Sequence, residues 1–105
     1  MTWLLLTCAI LSEVTATLFL KRALDHPVLY AVVVAGYVGA FILLTLTLKQ
    51  GLGIGVAYGI WAACGVALTA VASKVFFDEP LTTTMLVGLA FIIAGVLLVE
   101  TGASH

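Results

Sequence analysis

Glu13 is the single acidic or basic residue inside an apolar stretch that covers residues 2–20. A charged side chain at the centre of a lipid bilayer costs at least about 2.5–3.5 kcal/mol, and such residues are functional by default. Protonation, or pairing with a cation, removes most of that cost. A glutamate at this depth is therefore suited to exchange a proton for a cation. The alternative is a structural glutamate that is hydrogen-bonded across helices.

The neighbours of Glu13 on the same helical face are small or apolar. Ala9 and Ala16 lie four residues before and three residues after it, so they share its face and leave space for another helix or a ligand. The nearest basic residue, Lys21, is about two turns away, where its side chain can reach the membrane interface. A counter-charge for Glu13 must therefore come from solution.

Aromatic residues could supply the rest of a cation site. Tyr58 and Trp61 are three residues apart, so on a helix they project from one face, and Tyr37 lies in the middle of another apolar stretch. A desolvated organic cation gains up to about 2 kcal/mol from a good contact with such a ring. The alternative is that these rings pack or mark the interface, which is the interpretation we prefer for Trp3 and Tyr30.

The amino-acid composition indicates whether the protein is surrounded by water or by lipid. The chain has 105 residues, 64% of them hydrophobic and only 9% charged, which is too little charge to cover a soluble protein of this size. Lipid is the solvent that suits this composition. The formal net charge of -1 and the absence of a Lys/Arg cluster exclude a basic nucleic-acid-binding face.

Four apolar runs are each long enough to cross a bilayer core of about 30 Å as a helix. The sequence therefore predicts an all-α membrane protein whose residues 1–105 form a single four-helix transmembrane domain. The predicted helices span about residues 2–20, 28–48, 54–73 and 81–99. A cleaved signal peptide is a poor alternative for the first run, because its positive charges follow the apolar stretch and Glu13 lies in its middle.

Catalytic and metal-binding patterns are absent from the sequence. Cys8 and Cys64 each lie in an apolar run, and neither a CxxC nor an HExxH spacing occurs. No nucleophile–base pair is apparent, and His26 and His105 fall in a loop and a tail. We therefore predict that the protein is not an enzyme and uses neither a metal nor another cofactor.

Glycines in the last two runs suggest mobility and association. Gly65 lies among small residues of the third run, where it could form a hinge or simply permit close packing. Gly88 and Gly95 are seven residues apart in the fourth run, the spacing of a single packing seam between helices. One chain offers one deep acid and four helices, too little to enclose a pathway, so we expect an oligomer.

Three segments resemble the small multidrug resistance family, and with the four runs the resemblance covers essentially the whole chain. AILSEVTATLFLK, from Ala9 to Lys21, is similar to the family's A-I-x-x-E-V-x-[GA]-T-x-x-x-K. GVAYGIWAACG, from Gly55 to Gly65, resembles G-[IV]-A-Y-A-[IV]-W-S-G-x-G. GLAFIIAGV, from Gly88 to Val96, resembles G-x-x-L-I-x-A-G-V.

The resemblance implies a proton-coupled antiporter of the bacterial inner membrane, working as an antiparallel homodimer in which two copies of Glu13 form one site. Protons and an organic cation compete for that site. Carried over by position, Glu13 is the coupling acid, Gly65 belongs to the hinge, and Gly88 and Gly95 form the dimer seam. The residues that line the substrate site are then Ala9, Ala16, Tyr37, Tyr58 and Trp61.

Departures from the family pattern leave the substrate open. Ala62 replaces the usual serine after the tryptophan, and Ala40 occupies the small helix 2 position that faces the acid. The guanidinium-exporting branch has a tryptophan where this chain has Ala16, although its loop FFxEPL recurs as FFDEPL from Phe76 to Leu81. We favour quaternary ammonium or other lipophilic cations. The alternatives are a guanidinium or polyamine exporter, and a subunit that pairs with a sister chain.

Overall fold

The structure is a computed structural model that describes residues 1–103 of the chain. This part contains no strand and consists mainly of four α-helices: α1 (Thr2–Ala23), α2 (Tyr30–Lys49), α3 (Ile54–Phe77) and α4 (Thr83–Ala103). Each helix is long and apolar enough to cross a membrane. The prediction of an all-α protein with four transmembrane helices is confirmed.

The first of two compact units covers Met1–Leu52 and is a hairpin of α1 and α2. A 3-10 turn, Pro27–Leu29, precedes α2, and its first residue is a proline, whose fixed backbone and missing N–H suit that position. Lys21 and Arg22 lie in the last turn of α1, where the partial negative charge of a helix end favours them.

The second unit begins at Gly53 and contains α3 packed against α4. Asp78, with φ of 55°, ends α3 in the left-handed conformation, and the N–H of Glu79 bonds to the carbonyl oxygen of Ser73 at 3.2 Å. At the start of α4, the Thr82 hydroxyl accepts a hydrogen bond from the N–H of Met85 at 3.2 Å. These contacts satisfy backbone groups that helix ends leave unpaired.

The helices differ from the predicted ranges mainly at their ends. α1 continues beyond residue 20 to Ala23, α3 continues beyond residue 73 to Phe77, and α4 includes residues 100–103. The predicted loop after α3 is therefore helical up to Phe77, and Glu100 belongs to α4. Apolar runs mark only the lipid-spanning length, whereas lysine and arginine continue a helix readily. α2 instead starts later than predicted because residues 27–29 form the 3-10 turn.

Burial is uneven among the four helices. α1 has six buried residues, more than any other helix, whereas none of the described residues of α4 is buried. The core residues of α1 include Leu6, Ala9 and Ala16, each at most 1% exposed. The description of residues 1–105 as a single domain stays a prediction, since each hairpin forms a compact unit by itself.

Candidate functional site

Glu13 lies in the middle of α1, with Thr2 and Ala23 as the ends of the helix. At 1.5 Å per residue, the acid is about 15 Å from either end. Its side chain is half-buried. The four Lys and Arg residues of the chain all lie in the last turns of α1, α2 and α3, and thus away from the middle of those helices. Along their helices, the acid has the middle position and the bases the terminal positions that the sequence indicated.

A hydroxyl network joins Glu13 to α2. Thr17, one turn after Glu13, has its Oγ1 atom 3.0 Å from Glu13 Oε1 and 2.7 Å from the hydroxyl oxygen of Tyr37. The same Oγ1 is also 3.0 Å from the main-chain oxygen of Glu13. The structure therefore brings together two predicted site residues, Glu13 and Tyr37, through a third residue that spans the gap between the helices.

A second set of contacts fixes α1 against α2 beside the acid. The Ser12 hydroxyl donates to the main-chain oxygen of Gly36 at 2.8 Å. Gly36 also faces Ala16 so closely that an added β-carbon would lie 2.7 Å from the Ala16 Cβ. The absence of a side chain at Gly36 is what permits this approach. Hydrogen bonding and close contact thus set the position of Tyr37, which follows Gly36 on α2.

The two alanines predicted to line the site are buried. Ala9 is 0% exposed and Ala16 is 1% exposed. The sequence left open whether another helix or a ligand takes the space beside them, and at Ala16 the neighbour is α2. Ala40, the small position of α2, is buried as well.

The aromatic pair predicted on the third helix is adjacent within the second unit. The ring centroids of Tyr58 and Trp61 are 6.0 Å apart, with an angle of 54° between the ring planes. Trp61 is 7% exposed, whereas Tyr58 is 63% exposed. This tilted pair therefore combines the buried ring of Trp61 with the exposed ring of Tyr58.

The predicted hinge and seam glycines have different surroundings. Gly65 is buried in α3. Gly88 and Gly95 are exposed on α4, and an added β-carbon at either would meet nothing within 4 Å. Because α4 extends to Ala103, Gly102 continues the seven-residue spacing and is equally open. The predicted end at residue 99 excluded this third glycine.

Metal ligands do not cluster in the described residues, where no group of three or more His, Cys, Asp or Glu side chains could hold an ion. Cys8 and Cys64 are both free thiols. The polar chemistry of the site is therefore that of a carboxylate with hydroxyl partners.

Comparisons with known proteins decide the family. The family model described as Small Multidrug Resistance protein matches residues 1–92. The chain belongs to the small multidrug resistance family. It is 38% identical to the multidrug resistance protein mmr of Mycolicibacterium paratuberculosis, over 100% of both chains. It is 36% identical to the protein of the same name from Mycobacterium leprae and 35% identical to that from Mycobacterium tuberculosis, again over 100% of each chain.

Thr17 is the residue whose contribution to the site the sequence analysis missed. Its position one turn after Glu13 placed it on the same face, and the family segment has a threonine at this position. What the sequence did not indicate was the approach of Tyr37 to the same hydroxyl. Ser12, next to Glu13, was missed in the same way, because its partner is a main-chain oxygen on α2.

Proposed function

We propose that the protein is a proton-coupled antiporter that exports lipophilic and quaternary organic cations across the bacterial inner membrane. The observation that carries this proposal is the half-buried carboxylate of Glu13, halfway along a membrane-length helix and hydrogen-bonded by a threonine hydroxyl. Membership of the small multidrug resistance family and full-length relatives named multidrug resistance protein support a drug-like cargo.

Competition between the proton and the cation for one carboxylate couples their transport. Deprotonated Glu13 attracts a cation, and protonation of Glu13 removes the counter-charge and releases the cation. Cargo and proton therefore exclude each other at Glu13, as antiport requires. A site that opens alternately to the two sides of the membrane then moves protons inward and cations outward, because the proton gradient drives the exchange.

Aromatic rings supply the affinity for bulky cations. Tyr58 presents an accessible ring, and Trp61 is held beside it at a centroid distance of 6.0 Å. Rings of this kind attract a cation whose charge is dispersed over hydrocarbon, because such a cation loses little hydration on leaving water. Tyr37 contributes both a ring and the hydroxyl that reaches Thr17.

The close contact between Ala16 and Gly36 supports the lipophilic-cation branch over the guanidinium branch. Position 16 has little room on the side of Gly36, since a β-carbon added at Gly36 would lie 2.7 Å from the Ala16 Cβ. A tryptophan at position 16, as the guanidinium exporters have, would have to direct its ring away from this contact. Alanines at 40 and 62 also supply no side-chain hydrogen bonds. A site with few fixed hydrogen bonds cannot strongly reject related shapes, so we expect polyspecificity.

We further propose an antiparallel homodimer that forms through α4. This helix has no buried residue among those described, and its open glycines Gly88, Gly95 and Gly102 follow one line along it. In lipid, small residues let helix backbones approach, and the resulting packing is a main attractive term. Two copies would then contribute two Glu13 carboxylates to one pathway.

The orientation of the chain separates the homodimer from a pair with a sister subunit. If consecutive spans cross in opposite directions, the proposed topology puts Lys21, Arg22 and Lys74 at one side of the membrane and Lys49 at the other, a small bias toward one orientation. An antiparallel homodimer needs both orientations. Reporter fusions at each terminus should show both, and a single fixed orientation would favour the heterodimer.

Transport by the purified protein in liposomes tests the function. With an outward-directed cation gradient, tetraphenylphosphonium or tetra-alkylammonium efflux should drive proton uptake into the vesicles, detected with an internal pH dye. Glu13→Gln vesicles provide the control for passive leak. Cation movement without proton movement would contradict the antiporter.

A further inference from the structure

The Thr17 hydroxyl has three oxygen neighbours but only one hydrogen. Its neighbours are Glu13 Oε1 at 3.0 Å, the main-chain oxygen of Glu13 at 3.0 Å and the Tyr37 hydroxyl oxygen at 2.7 Å. A hydroxyl donates one hydrogen bond and accepts up to two. The direction of each bond must therefore depend on which of the neighbours needs a donor.

A charged Glu13 determines both directions. An ionised carboxylate only accepts hydrogen bonds, so Thr17 donates to Glu13 Oε1. The oxygen of Thr17 is then an acceptor, and Tyr37 donates its hydrogen to it. Two hydroxyls in series thus stabilise the negative charge, each polarised toward Glu13.

A protonated Glu13 allows the opposite arrangement. The neutral carboxyl group can itself donate, so its hydrogen points to Thr17 Oγ1, and Thr17 donates to the oxygen of Tyr37. Alternatively, Thr17 donates to the main-chain oxygen of Glu13, as threonines in helices commonly do. In the first case Tyr37 no longer donates to Thr17. In the second case Tyr37 can still donate to the Thr17 oxygen, but Thr17 no longer donates to the carboxyl group, so the two hydroxyls are not polarised in series toward Glu13.

We infer that Thr17 is a positioning residue that links the Tyr37 hydroxyl to the charge of Glu13, so that protonation of the acid either reverses the bond between Thr17 and Tyr37 or uncouples that bond from the carboxyl group. This inference rests on the proposed function, in which Glu13 gains and loses a proton in each cycle. It assigns Thr17 a role in proton affinity that is separate from contact with the cargo. Tyr37 then acts on Glu13 through Thr17, whereas its ring remains available to the cation.

The charged and titratable groups around this network are few within the first unit. On α2 they are Tyr30, Tyr37 and Lys49, of which Tyr30 and Lys49 are its first and last residues. On α1 itself, Cys8 lies more than one turn before Glu13, and Lys21 and Arg22 lie in the last turn. The 3-10 turn, Pro27–Leu29, has no titratable side chain. Tyr37 is thus the group of α2 that touches the network.

The pH dependence of cation binding tests the inference. In Thr17→Val, which keeps the side-chain shape and removes the hydroxyl, the charged form of Glu13 loses a hydrogen bond and the proton competes better. The pH at half-maximal binding of tetraphenylphosphonium to the full-length protein in lipid should rise by about one unit. At pH well above that midpoint, affinity should return to within a few-fold of the wild-type value.

Three companion variants separate the link from a structural effect. Thr15→Val is the matched control, because Thr15 makes the same bond to a main-chain oxygen of α1, at 2.7 Å to Leu11, and should leave the midpoint unchanged. Thr17→Ser retains a hydroxyl and should restore the wild-type midpoint. Tyr37→Phe should raise the midpoint less than Thr17→Val, and the double variant Thr17→Val/Tyr37→Phe should match Thr17→Val alone.

Additive effects in the double variant, or an equal loss of affinity at every pH, would overturn the inference, because Tyr37 and Thr17 would then contact the cargo independently. If Thr17→Val fails to fold, Tyr37→Phe and Thr17→Ser still decide the question. An unshifted midpoint in Tyr37→Phe contradicts the link. Failure of the proposed function itself looks different, since the wild-type protein would then bind the cation equally at all pH values.

Nuclear magnetic resonance gives a readout that transport does not. With tyrosine labelled at the ring carbon that bears the hydroxyl, the Tyr37 signal is identified by its loss in Tyr37→Phe. In the wild-type protein and in Thr15→Val, this signal should shift with the same midpoint as the side-chain carboxyl carbon of Glu13. In Thr17→Val the shift should disappear, and a persistent shift would show that Tyr37 senses the acid without Thr17.

Discussion

Gly36 on α2 lies so close to Ala16 on α1 that a β-carbon at Gly36 would be 2.7 Å from the Ala16 Cβ and 3.4 Å from its Cα. Neither atom belongs to a flexible side-chain end, so neither can move without the helix. Gly36 directly precedes Tyr37 on α2, and Ala16 directly precedes Thr17 on α1. The separation of α1 and α2 at this contact therefore controls the hydrogen bond between Thr17 and Tyr37.

Gly36→Ala should destabilise the protein. An alanine gains up to about 1 kcal/mol of helix propensity over glycine, but overpacking of a close contact costs about 1–3 kcal/mol. We expect a net loss of roughly 1 kcal/mol in the free energy of unfolding, measured by denaturant titration in detergent micelles.

Gly39→Ala is the matched control for this prediction. An added β-carbon at Gly39 would meet only the Ser12 Oγ at 3.5 Å, an ordinary contact, so stability should stay unchanged or rise slightly. Ala16→Gly combined with Gly36→Ala should recover part of the loss. Equal stabilities of Gly36→Ala and Gly39→Ala would contradict the packing argument.

Glu13→Gln should abolish proton-coupled cation transport and leave the fold intact. The amide keeps the shape of the side chain and can still accept a hydrogen bond from Thr17, but it never carries the counter-charge. Proton uptake driven by a cation gradient in liposomes should fall to the leak rate, and the helical circular dichroism signal should be unchanged. Glu13→Asp should retain some transport with a shifted pH profile. Robust coupled transport by Glu13→Gln would refute the role of Glu13.

Cation affinity should rise with pH. Protons and cations compete for Glu13, so each proton that leaves the acid creates a site for the cation. Calorimetric titration with a quaternary cation should give a dissociation constant that falls about tenfold per pH unit below the midpoint and levels off above it, as one-to-one competition requires. Affinity that is flat between pH 5 and pH 9 would mean that proton and cation do not share the site.

The apolar runs allowed the number of helices to be predicted from sequence, and the three family-like segments allowed the family to be predicted. Glu13 lies in the middle of α1, as its place in the first apolar run indicated. Helix ends were less predictable, because hydropathy reports the length in lipid whereas helical hydrogen bonding continues through residues such as Lys21 and Lys74. The link through Thr17 was not predictable. Periodicity places side chains on one face of a helix, but the register of α1 against α2 depends on the local approach at Gly36.

Gly95→Leu should weaken dimerisation. The larger side chain would hold backbones apart along the line formed by Gly88, Gly95 and Gly102 on α4. In cross-linking of the protein in lipid, the dimer fraction should fall. Ala90→Leu adds bulk to the opposite face of the same helix and should leave the dimer fraction unchanged. An unaffected dimer in Gly95→Leu would place the seam on another helix.

Quaternary ammonium and aromatic cations should be transported in preference to guanidinium. Guanidinium is small, planar and strongly hydrated, so a site selective for it needs fixed hydrogen-bond acceptors around the acid. Ala16, Ala40 and Ala62 provide none from their side chains, whereas Tyr58 and Trp61 provide rings for a lipophilic cation.

The substrate preference is tested by comparing the transport currents that gradients of tetraphenylphosphonium, tetra-alkylammonium and guanidinium produce in one preparation of liposomes containing the protein. Trp61→Ala should reduce the apparent affinity for the aromatic cation by about tenfold or more, the equivalent of losing one good ring contact. Trp3→Ala is the matched control, because Trp3 lies in the first turn of α1 and is exposed, and it should change the affinity little. Larger currents with guanidinium than with either lipophilic cation would assign the protein to the guanidinium exporters. The hydrogen bonds that Ala16, Ala40 and Ala62 do not provide would then have to come from other groups in the pathway.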